Sequence, residues 1–314
     1  MEALRAAVVG VGYFGSRHAD KLAGLPGVKL AYVVDVDRAR AEAVAAKVGA
    51  RAATDYREAL GAVDVATVAV PTHVHAEVAQ TLLGAGIHLL IEKPLTTSLD
   101  EADRVVAAAV QNGLVLRVGH LERFNPALVA VRDRIVAPRF MECHRLAPFK
   151  PRGTDVDVVL DIMIHDLDII LSLVDSPVAE VRANGVSVLT GGIDIANARV
   201  EFASGCVANI TASRVSAKSM RKLRVFQPDC YVSIDFQDRS VDVARADPRA
   251  AGGPIPGVAL ERAEYPEGDS LEAELTAFVE AVRGRDRPAA TGQDARRALE
   301  LALVISHRIR GDRA

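Results

Sequence analysis

The chain has 314 residues, half of them hydrophobic and a quarter charged, with 38 basic and 41 acidic side chains and a net charge of −3. This composition is typical of a globular enzyme, and it excludes disordered and collagen-like chains. No basic run or stripe with interleaved aromatics is present, which argues against nucleic acid as a partner. No apolar run approaches the roughly 18 residues needed to cross a bilayer, so we expect no membrane partner.

The three cysteines, Cys143, Cys206 and Cys230, are widely spaced and form no C-x-x-C pair. This usage is typical of reduced thiols in the cytoplasm, and we expect all three to be buried and unreactive. The N-terminal residues lead directly into a strand pattern and lack the features of a signal peptide. The sequence therefore predicts a cytoplasmic protein.

Short β-branched runs alternate with Ala-rich helical patterns in the first third of the chain. The predicted strands are residues 6–9, 29–34, 65–70, 88–91 and 114–118, and the predicted helices are residues 15–25, 38–48, 75–84 and 99–111. Strict alternation of strand and helix predicts an α/β domain with a doubly wound parallel sheet.

The pattern changes after residue 120. A long helix is predicted over residues 155–174, followed by strands at 179–189, 195–202, 206–213, 222–226 and 231–236 and by an exposed loop at 247–256. Two further helices are expected, one capped by Ser270 and one over 293–310. Short turns between successive strands indicate hairpins. We expect a first domain at 1–120, and at 121–314 an α+β domain with a largely antiparallel sheet.

The first strand leads into a G-x-G-x-x-G segment that opens a helix. Gly10 permits the tight turn, Gly12 lets the backbone approach a pyrophosphate, and Gly15 allows close helix packing. Asp35 lies twenty residues after Gly15, at the end of the next strand. A carboxylate at this place binds an adenosine ribose and repels a 2′-phosphate. These features predict a Rossmann domain that prefers NAD, although Arg38 could screen a phosphate.

Glu92, Lys93 and Pro94 follow the fourth predicted strand at its carboxyl end, where open α/β sheets bind ligands. Pro94 restricts the backbone and ends the strand, so Lys93 is held by a constrained turn. A solvated surface lysine is the alternative interpretation of Lys93 taken by itself.

In the nearly apolar helix predicted at 155–174, Asp161, His165 and Asp168 share one face. Burying carboxylates there costs several kcal/mol unless they are paired or functional. A core histidine bonded to an aspartate is one alternative. A metal site is another, but it lacks further ligands nearby apart from His73 and His75 on the cofactor side, so we predict no metal.

Together these motifs resemble the Gfo/Idh/MocA family of NAD(P)-dependent sugar oxidoreductases over essentially the whole chain. The segments that carry the resemblance are Gly10-x-Gly12-x-x-Gly15, Pro71-Thr72-x-x-His75, Glu92-Lys93-Pro94, Arg123-Phe124-Asn125-Pro126 and Asp161-x-x-x-His165-x-x-Asp168. The resemblance implies a Rossmann domain, and a second domain whose open sheet packs against another subunit in a homodimer or homotetramer.

The resemblance also implies roles for individual residues. Lys93, Asp161 and His165 would be catalytic. The expected NAD-binding residues are Gly10, Gly12, Tyr13, Phe14, Gly15, Asp35, Arg38, Pro71, Thr72, His75, Glu92 and Lys93. The expected substrate-binding residues are Lys93, Arg123, Asn125, Lys150, Arg152, Asp161 and His165.

Within the family, residues 145–153, together with Arg214 and residues 221–224, are similar to the group that oxidises C3 of UDP-N-acetylglucosamine for the 2,3-diamino sugar of lipid A. Lys150 and Arg152 would suit a diphosphate, or they form a solvated loop. A dehydrogenase of a free polyol or aldose, such as inositol, is an alternative. A non-catalytic NAD-sensing regulator is a further one, but it would be expected to lose Lys93 or His165, and both are present.

Overall fold

The computed structural model describes residues 2–149, 156–250, 255–285 and 289–311. Its first sheet has six parallel strands: β1 (Leu4–Val9), β2 (Val28–Val34), β3 (Arg51–Ala53), β4 (Val65–Val68), β5 (His88–Glu92) and β6 (Leu116–Gly119). Their spatial order is β3-β2-β1-β4-β5-β6, the order of a dinucleotide-binding doubly wound sheet. The connecting helices are α1 (Tyr13–Gly24), α2 (Arg38–Val48), α3 (His75–Gly84) and α4 (Leu99–Gln111). The predicted α/β fold is confirmed.

Local sequence signals fix the ends of these helices. The carboxylate of Asp37 accepts a hydrogen bond from the Arg40 amide at the start of α2, and Gly49 ends that helix in the left-handed conformation. Ser98 caps α4 in the same way through the Glu101 amide. Asp37 comes three residues after the end of β2, so α2 begins close to the carboxyl edge of the sheet.

The second sheet has eight strands: β7 (Phe140–Leu146), β8 (Val178–Val186), β9 (Ile195–Phe202), β10 (Val207–Ser213), β11 (Met220–Phe226), β12 (Cys230–Asp235), β13 (Ser240–Ala246) and β14 (Val258–Glu264). Their order is β14-β13-β12-β11-β7-β10-β9-β8. Neighbours are antiparallel except β7 and β10, which are parallel. The predicted largely antiparallel sheet is confirmed, but β7, β13 and β14 were missed. In β7 a charged residue, Arg145, takes a buried position and breaks the alternation, and most side chains of β14 are exposed.

Two helices of the second half carry corrections, and the last helix, predicted over 293–310, is confirmed. A short helix, α5 (Pro126–Val131), precedes the second sheet. The helix predicted at 155–174 begins, within the described residues, as a π-helical turn at Val159–Met163 and continues as α6 (Ile164–Leu173). Asp269, not Ser270, caps α7 (Ser270–Val282) by accepting a hydrogen bond from the Glu272 amide. The last helix, α8, spans Gly292–Gly311.

The backbone separates into two compact units, Met1–Leu121 with Asp269–Leu299, and Glu122–Gly268 with Glu300–Ala314. The segment Asp269–Leu299 therefore belongs to the first unit, whereas a second domain at 121–314 was predicted. The reason is apolar packing: Leu275 and Phe278 of α7 share a buried cluster with Val8 of β1 and Leu22 of α1. No helix in the described ranges combines the length and the apolar character needed to cross a bilayer.

Candidate functional site

The glycine-rich turn joins β1 to α1 at the point where the strand order reverses. Gly10 has φ +83°, and a Cβ there would lie 2.7 Å from the Ala69 carbonyl oxygen after β4. A Cβ on Gly15 would lie 1.8 Å from the Gly10 carbonyl oxygen, so α1 can pack this closely only against glycine. At Gly12 no atom lies within 4 Å of the built Cβ, and no side chain caps the helix there. The first N–H groups of α1 are therefore accessible to an anion.

Asp35 follows β2 and is 6% exposed. Its carboxylate accepts hydrogen bonds from the amides of Val11 and Asp37, each at 2.9 Å, so it also holds the glycine-rich turn. The guanidinium beside this carboxylate belongs to Arg40, at 3.2 Å. Arg38, expected among the cofactor-binding residues, pairs with Glu42 on the exposed face of α2, at 3.7 Å, and its contact with the cofactor stays a prediction.

Two further segments lie at the carboxyl edge of this sheet. Tyr13 and Phe14 are exposed and pack edge to face, and the Arg17 guanidinium lies 4.4 Å from the centre of the Tyr13 ring. Pro71 and Thr72 follow β4 and lead through a single 3₁₀ turn into α3. The open Gly12 backbone, the uncapped start of α1 and the Asp35 carboxylate together fit a dinucleotide of the NAD type.

Lys93 follows β5 and is half-buried, and its peptide bond to Pro94 is cis. The preceding Glu92 does not point into open space, because its carboxylate is hydrogen-bonded to buried His18 of α1. His75 is also buried, and its ring contacts backbone carbonyl oxygens of Val70 and Pro94. Direct contact of Glu92 and His75 with the cofactor stays a prediction.

In the second unit, Asp161 and His165 lie one turn apart across the junction of the π-helical turn and α6. Both are partly exposed. Asp157 begins this helical segment, since its carboxylate accepts a hydrogen bond from the Leu160 amide at 3.0 Å and another from Arg310 at 3.2 Å. π-Helical turns occur frequently at functional sites.

Asp168, grouped with His165 by the sequence pattern, is buried and accepts two hydrogen bonds from Arg123, at 2.7 and 2.6 Å. Asn125 caps α5 by accepting a hydrogen bond from the Ala127 amide and donates another to the Phe236 carbonyl oxygen. Arg123 and Asn125 therefore have roles within the fold, and their contact with a substrate stays a prediction.

The residue after His165 is anchored in the same manner. Asp166 is 1% exposed and accepts hydrogen bonds from Arg145 of β7 at 2.9 and 2.7 Å, and Arg145 donates a third to Glu122 at 2.8 Å. Although burial opposes the charge, the carboxylates of Asp166 and Glu122 raise the pKa of Arg145. Cys143 lies beside this cluster, and burial together with the Asp166 charge raises the pKa of its thiol well above its usual range.

Sequence reasoning assigned no role to His18, Glu122 or Asp166. A signal existed for His18, since it shares one face of α1 with Gly15 and Leu22, all three of them buried. Lys150 and Arg152 lie outside the described residues. All three cysteines are free and buried, and within the described ranges no group of three or more His, Cys, Asp or Glu side chains could hold a metal ion.

The doubly wound sheet, its open glycine turn and the acidic residue after β2 define an NAD-dependent oxidoreductase. Residues 4–120 match the oxidoreductase family with an NAD-binding Rossmann fold, and residues 137–230 match the GFO/IDH/MocA C-terminal domain. The chain belongs to the Gfo/Idh/MocA family, which confirms the resemblance and the predicted cofactor NAD.

Similar proteins include a UDP-N-acetylglucosamine 3-dehydrogenase of Acidithiobacillus ferrooxidans, 39% identical over 96% of each chain. A solved structure of that enzyme has a TM-score of 0.91 at 38% identity and 99% coverage of both chains. An inositol 2-dehydrogenase of Mycolicibacterium smegmatis is 35% identical over 58% of this chain and 56% of its own. A levoglucosan dehydrogenase in complex with NADH and levoglucosan shares the fold, with a TM-score of 0.89 at 17% identity.

Proposed function

We propose that this protein oxidises the C3 hydroxyl of UDP-N-acetylglucosamine with NAD and gives a 3-keto sugar nucleotide, as a step towards the 2,3-diamino sugar of lipid A. The observation that carries this proposal is the 39% identity to a UDP-N-acetylglucosamine 3-dehydrogenase over 96% of both chains. The inositol 2-dehydrogenase match covers only 58% of this chain. Oxidation of a free polyol is the second candidate, because that match is nevertheless 35% identical.

The cofactor would be held by the Gly10–Gly15 turn, by the N-terminus of α1 and by Asp35. When bound, NAD supplies the hydride acceptor for the sugar carbon. His165 takes the proton of the reacting hydroxyl, since imidazole is the side chain that most often serves as a general base near neutral pH. Lys93 hydrogen-bonds the same oxygen and stabilises its developing negative charge, and Asp161 orients these groups.

The surroundings of His165 support its role as a base. The buried ion pairs at Asp166 and Asp168 fix α6 against β7 and against the 3₁₀ turn at Leu121–Phe124. A base that is fixed on a rigid helix keeps its orientation towards a bound hydroxyl without further loss of conformational entropy.

Lys93→Ala tests the chemical step. Loss of a group that stabilises transition-state charge should lower kcat by a factor on the order of 100 or more. NADH binding, measured by fluorescence titration, should persist in this variant. Lys21→Ala is the control, because Lys21 lies in the second half of α1 and pairs with the exposed carboxylates of Asp269 and Glu272 at the start of α7. Unchanged turnover in Lys93→Ala would contradict the assignment.

Substrate class is tested with UDP-N-acetylglucosamine and myo-inositol in parallel, following NADH absorbance. Lys150 and Arg152 are proposed to bind the diphosphate, and each charge-assisted hydrogen bond is worth roughly 1.5–3 kcal/mol. Lys150→Ala and Arg152→Ala should therefore raise KM for the UDP-sugar more than they lower kcat, and KM should rise with salt. Efficient oxidation of myo-inositol, with no activity on the UDP-sugar, would favour the polyol dehydrogenase.

We further infer a cytoplasmic homodimer or homotetramer that uses the outer face of the second sheet. Phe140, Phe226 and Tyr231 form a row of aromatic rings on that face, with centroids 5.6 and 5.0 Å apart. Aromatic side chains are enriched in interfaces. Light scattering of the purified protein should give two or four times the chain mass, and Phe226→Glu should lower it. The free thiols accord with a reducing compartment.

A further inference from the structure

Two buried histidines hold the turn that carries Lys93, one on each side of the lysine. His18 comes from α1 and is 0% exposed, and His75 begins α3 and is 1% exposed. Both belong to segments that follow the cofactor-binding edge of the sheet: α1 starts at the glycine-rich turn, and α3 starts after Pro71 and Thr72. The family motifs predicted direct cofactor contact for His75 and assigned nothing to His18.

His18 contacts the residue before the lysine. Its Nε2 atom lies 2.9 Å from Oε1 of Glu92. The carboxylate is confined from the other side, because it packs against Gly119, the register partner of Glu92 on β6, where a Cβ would lie 3.1 Å from Oε2. The Nδ1 atom of His18 is buried and has no hydrogen-bond partner among the described residues. The Nε2 contact is therefore the polar interaction that this ring makes.

His75 contacts the residue after the lysine. Its Nδ1 atom lies 3.0 Å from the carbonyl oxygen of Pro94 and 3.2 Å from that of Leu95. Its Nε2 atom lies 2.9 Å from the carbonyl oxygen of Val70, at the end of β4. The ring thus lies between the loop after β4 and the loop after β5. A neutral imidazole has a single N–H, and we assign it to Nδ1, which faces two carbonyl oxygens where Nε2 faces one.

We propose that His18 and His75 are positioning residues that fix the backbone on both sides of Lys93, and through it the place of the lysine ammonium. This inference rests on the proposed catalytic role of Lys93. Whatever rotamer a lysine side chain adopts, the position of its backbone sets the region that Nζ can reach. Displacement of a reacting group by about 1 Å can cost on the order of 100-fold in rate.

The two contacts use different ring nitrogens, which allows a crossed test with conservative variants. A glutamine amide nitrogen occupies approximately the place of histidine Nε2, and an asparagine amide nitrogen approximately that of Nδ1. His18→Gln keeps a donor for Glu92, whereas His18→Asn loses it. His75→Asn keeps a donor for Pro94, whereas His75→Gln keeps only the contact with Val70.

We expect kcat at saturating NAD and substrate to fall at least about tenfold in His18→Asn and His75→Gln, and to stay within about threefold in His18→Gln and His75→Asn. The dissociation constant for NADH should change by less than about threefold in all four, since the glycine-rich turn is intact. Lys21→Ala, on the same helix as His18, is the control and should match the wild type.

Hydrogen exchange gives a readout that does not depend on turnover. Amides of residues 92, 93 and 95–97 should exchange faster in His18→Asn and His75→Gln than in their partner variants, because the turn loses a contact. Equal behaviour of the Asn and Gln variants at either histidine, in kcat and in exchange, would overturn the proposal. Full activity of Lys93→Ala would refute the proposed catalytic role of the lysine. The hydrogen-exchange difference between the Asn and Gln variants would still test whether His18 and His75 hold the turn.

Discussion

Replacing Arg145 by methionine removes the central cation of the buried network beneath α6. Arg145 is 5% exposed and donates hydrogen bonds to Asp166 at 2.9 and 2.7 Å and to Glu122 at 2.8 Å. Methionine fills part of the same volume but donates nothing, so the Asp166 carboxylate would stay buried without its counter-ion. Loss of one partner of a buried ion pair costs about 3–5 kcal/mol. At about 2–4 °C per kcal/mol for a unit of this size, Tm should fall by roughly 6–20 °C.

A matched control lies on β7 and its neighbour β11. Arg224 of β11 donates to Glu142 of β7 at 2.9 Å, but both side chains are partly exposed. Arg224→Met should therefore cost less than about 1 kcal/mol. Unfolding is followed by far-UV circular dichroism in heat and urea, because the chain has no tryptophan. Asp166→Leu added to Arg145→Met should restore part of the loss. Equal stability of Arg145→Met and Arg224→Met would refute the reasoning.

Asp35→Asn should weaken the preference for NAD over NADP, because it removes the charge that repels a 2′-phosphate; titration with both cofactors checks this, and an unchanged ratio of affinities would contradict it. Gly12→Ala should fold normally but lose roughly 10- to 100-fold in NAD affinity, since its Cβ fills open space at the pyrophosphate position. Gly15→Ala should instead lower Tm, because its Cβ overlaps the Gly10 carbonyl. Although burial works against its charge, hydrogen bonds from residues 188–190 hold the pKa of Asp194 well below its usual range. Asp194→Asn should therefore be less stable than the wild type at pH 7, and the difference should shrink as the pH falls below about 4, where the carboxylate of the unfolded chain is protonated; a difference in Tm that did not change between pH 7 and pH 3 would contradict this.

The first sheet and its cofactor turn could be predicted because their signals are local. Glycine spacing, the acid after the second strand and the alternation of strand and helix are all properties of short segments. β3 was missed because three residues, Arg51–Ala53, carry no periodic signal. β7 was missed for another reason. Buried Met141 and Cys143 are followed at the next buried position by Arg145, which breaks the apolar pattern and becomes acceptable in a core only through Asp166, 21 residues away.

The polar residues of α6 show why the site could be predicted only in part. Periodicity placed Asp168 with Asp161 and His165 as one candidate cluster. In the structure Arg123 neutralises Asp168 and Arg145 neutralises Asp166, so the two buried acids anchor the helix. Both arginines come from outside α6, and no pattern within the helix could have indicated them. The partner that offsets the cost of burying a carboxylate can be distant in sequence. From the helix alone, a polar residue on an apolar helix can therefore be interpreted either as an anchor of that helix or as part of a reactive site. Asp161 and His165 keep the access to solvent that their proposed catalytic roles require, while the two anchoring acids are buried.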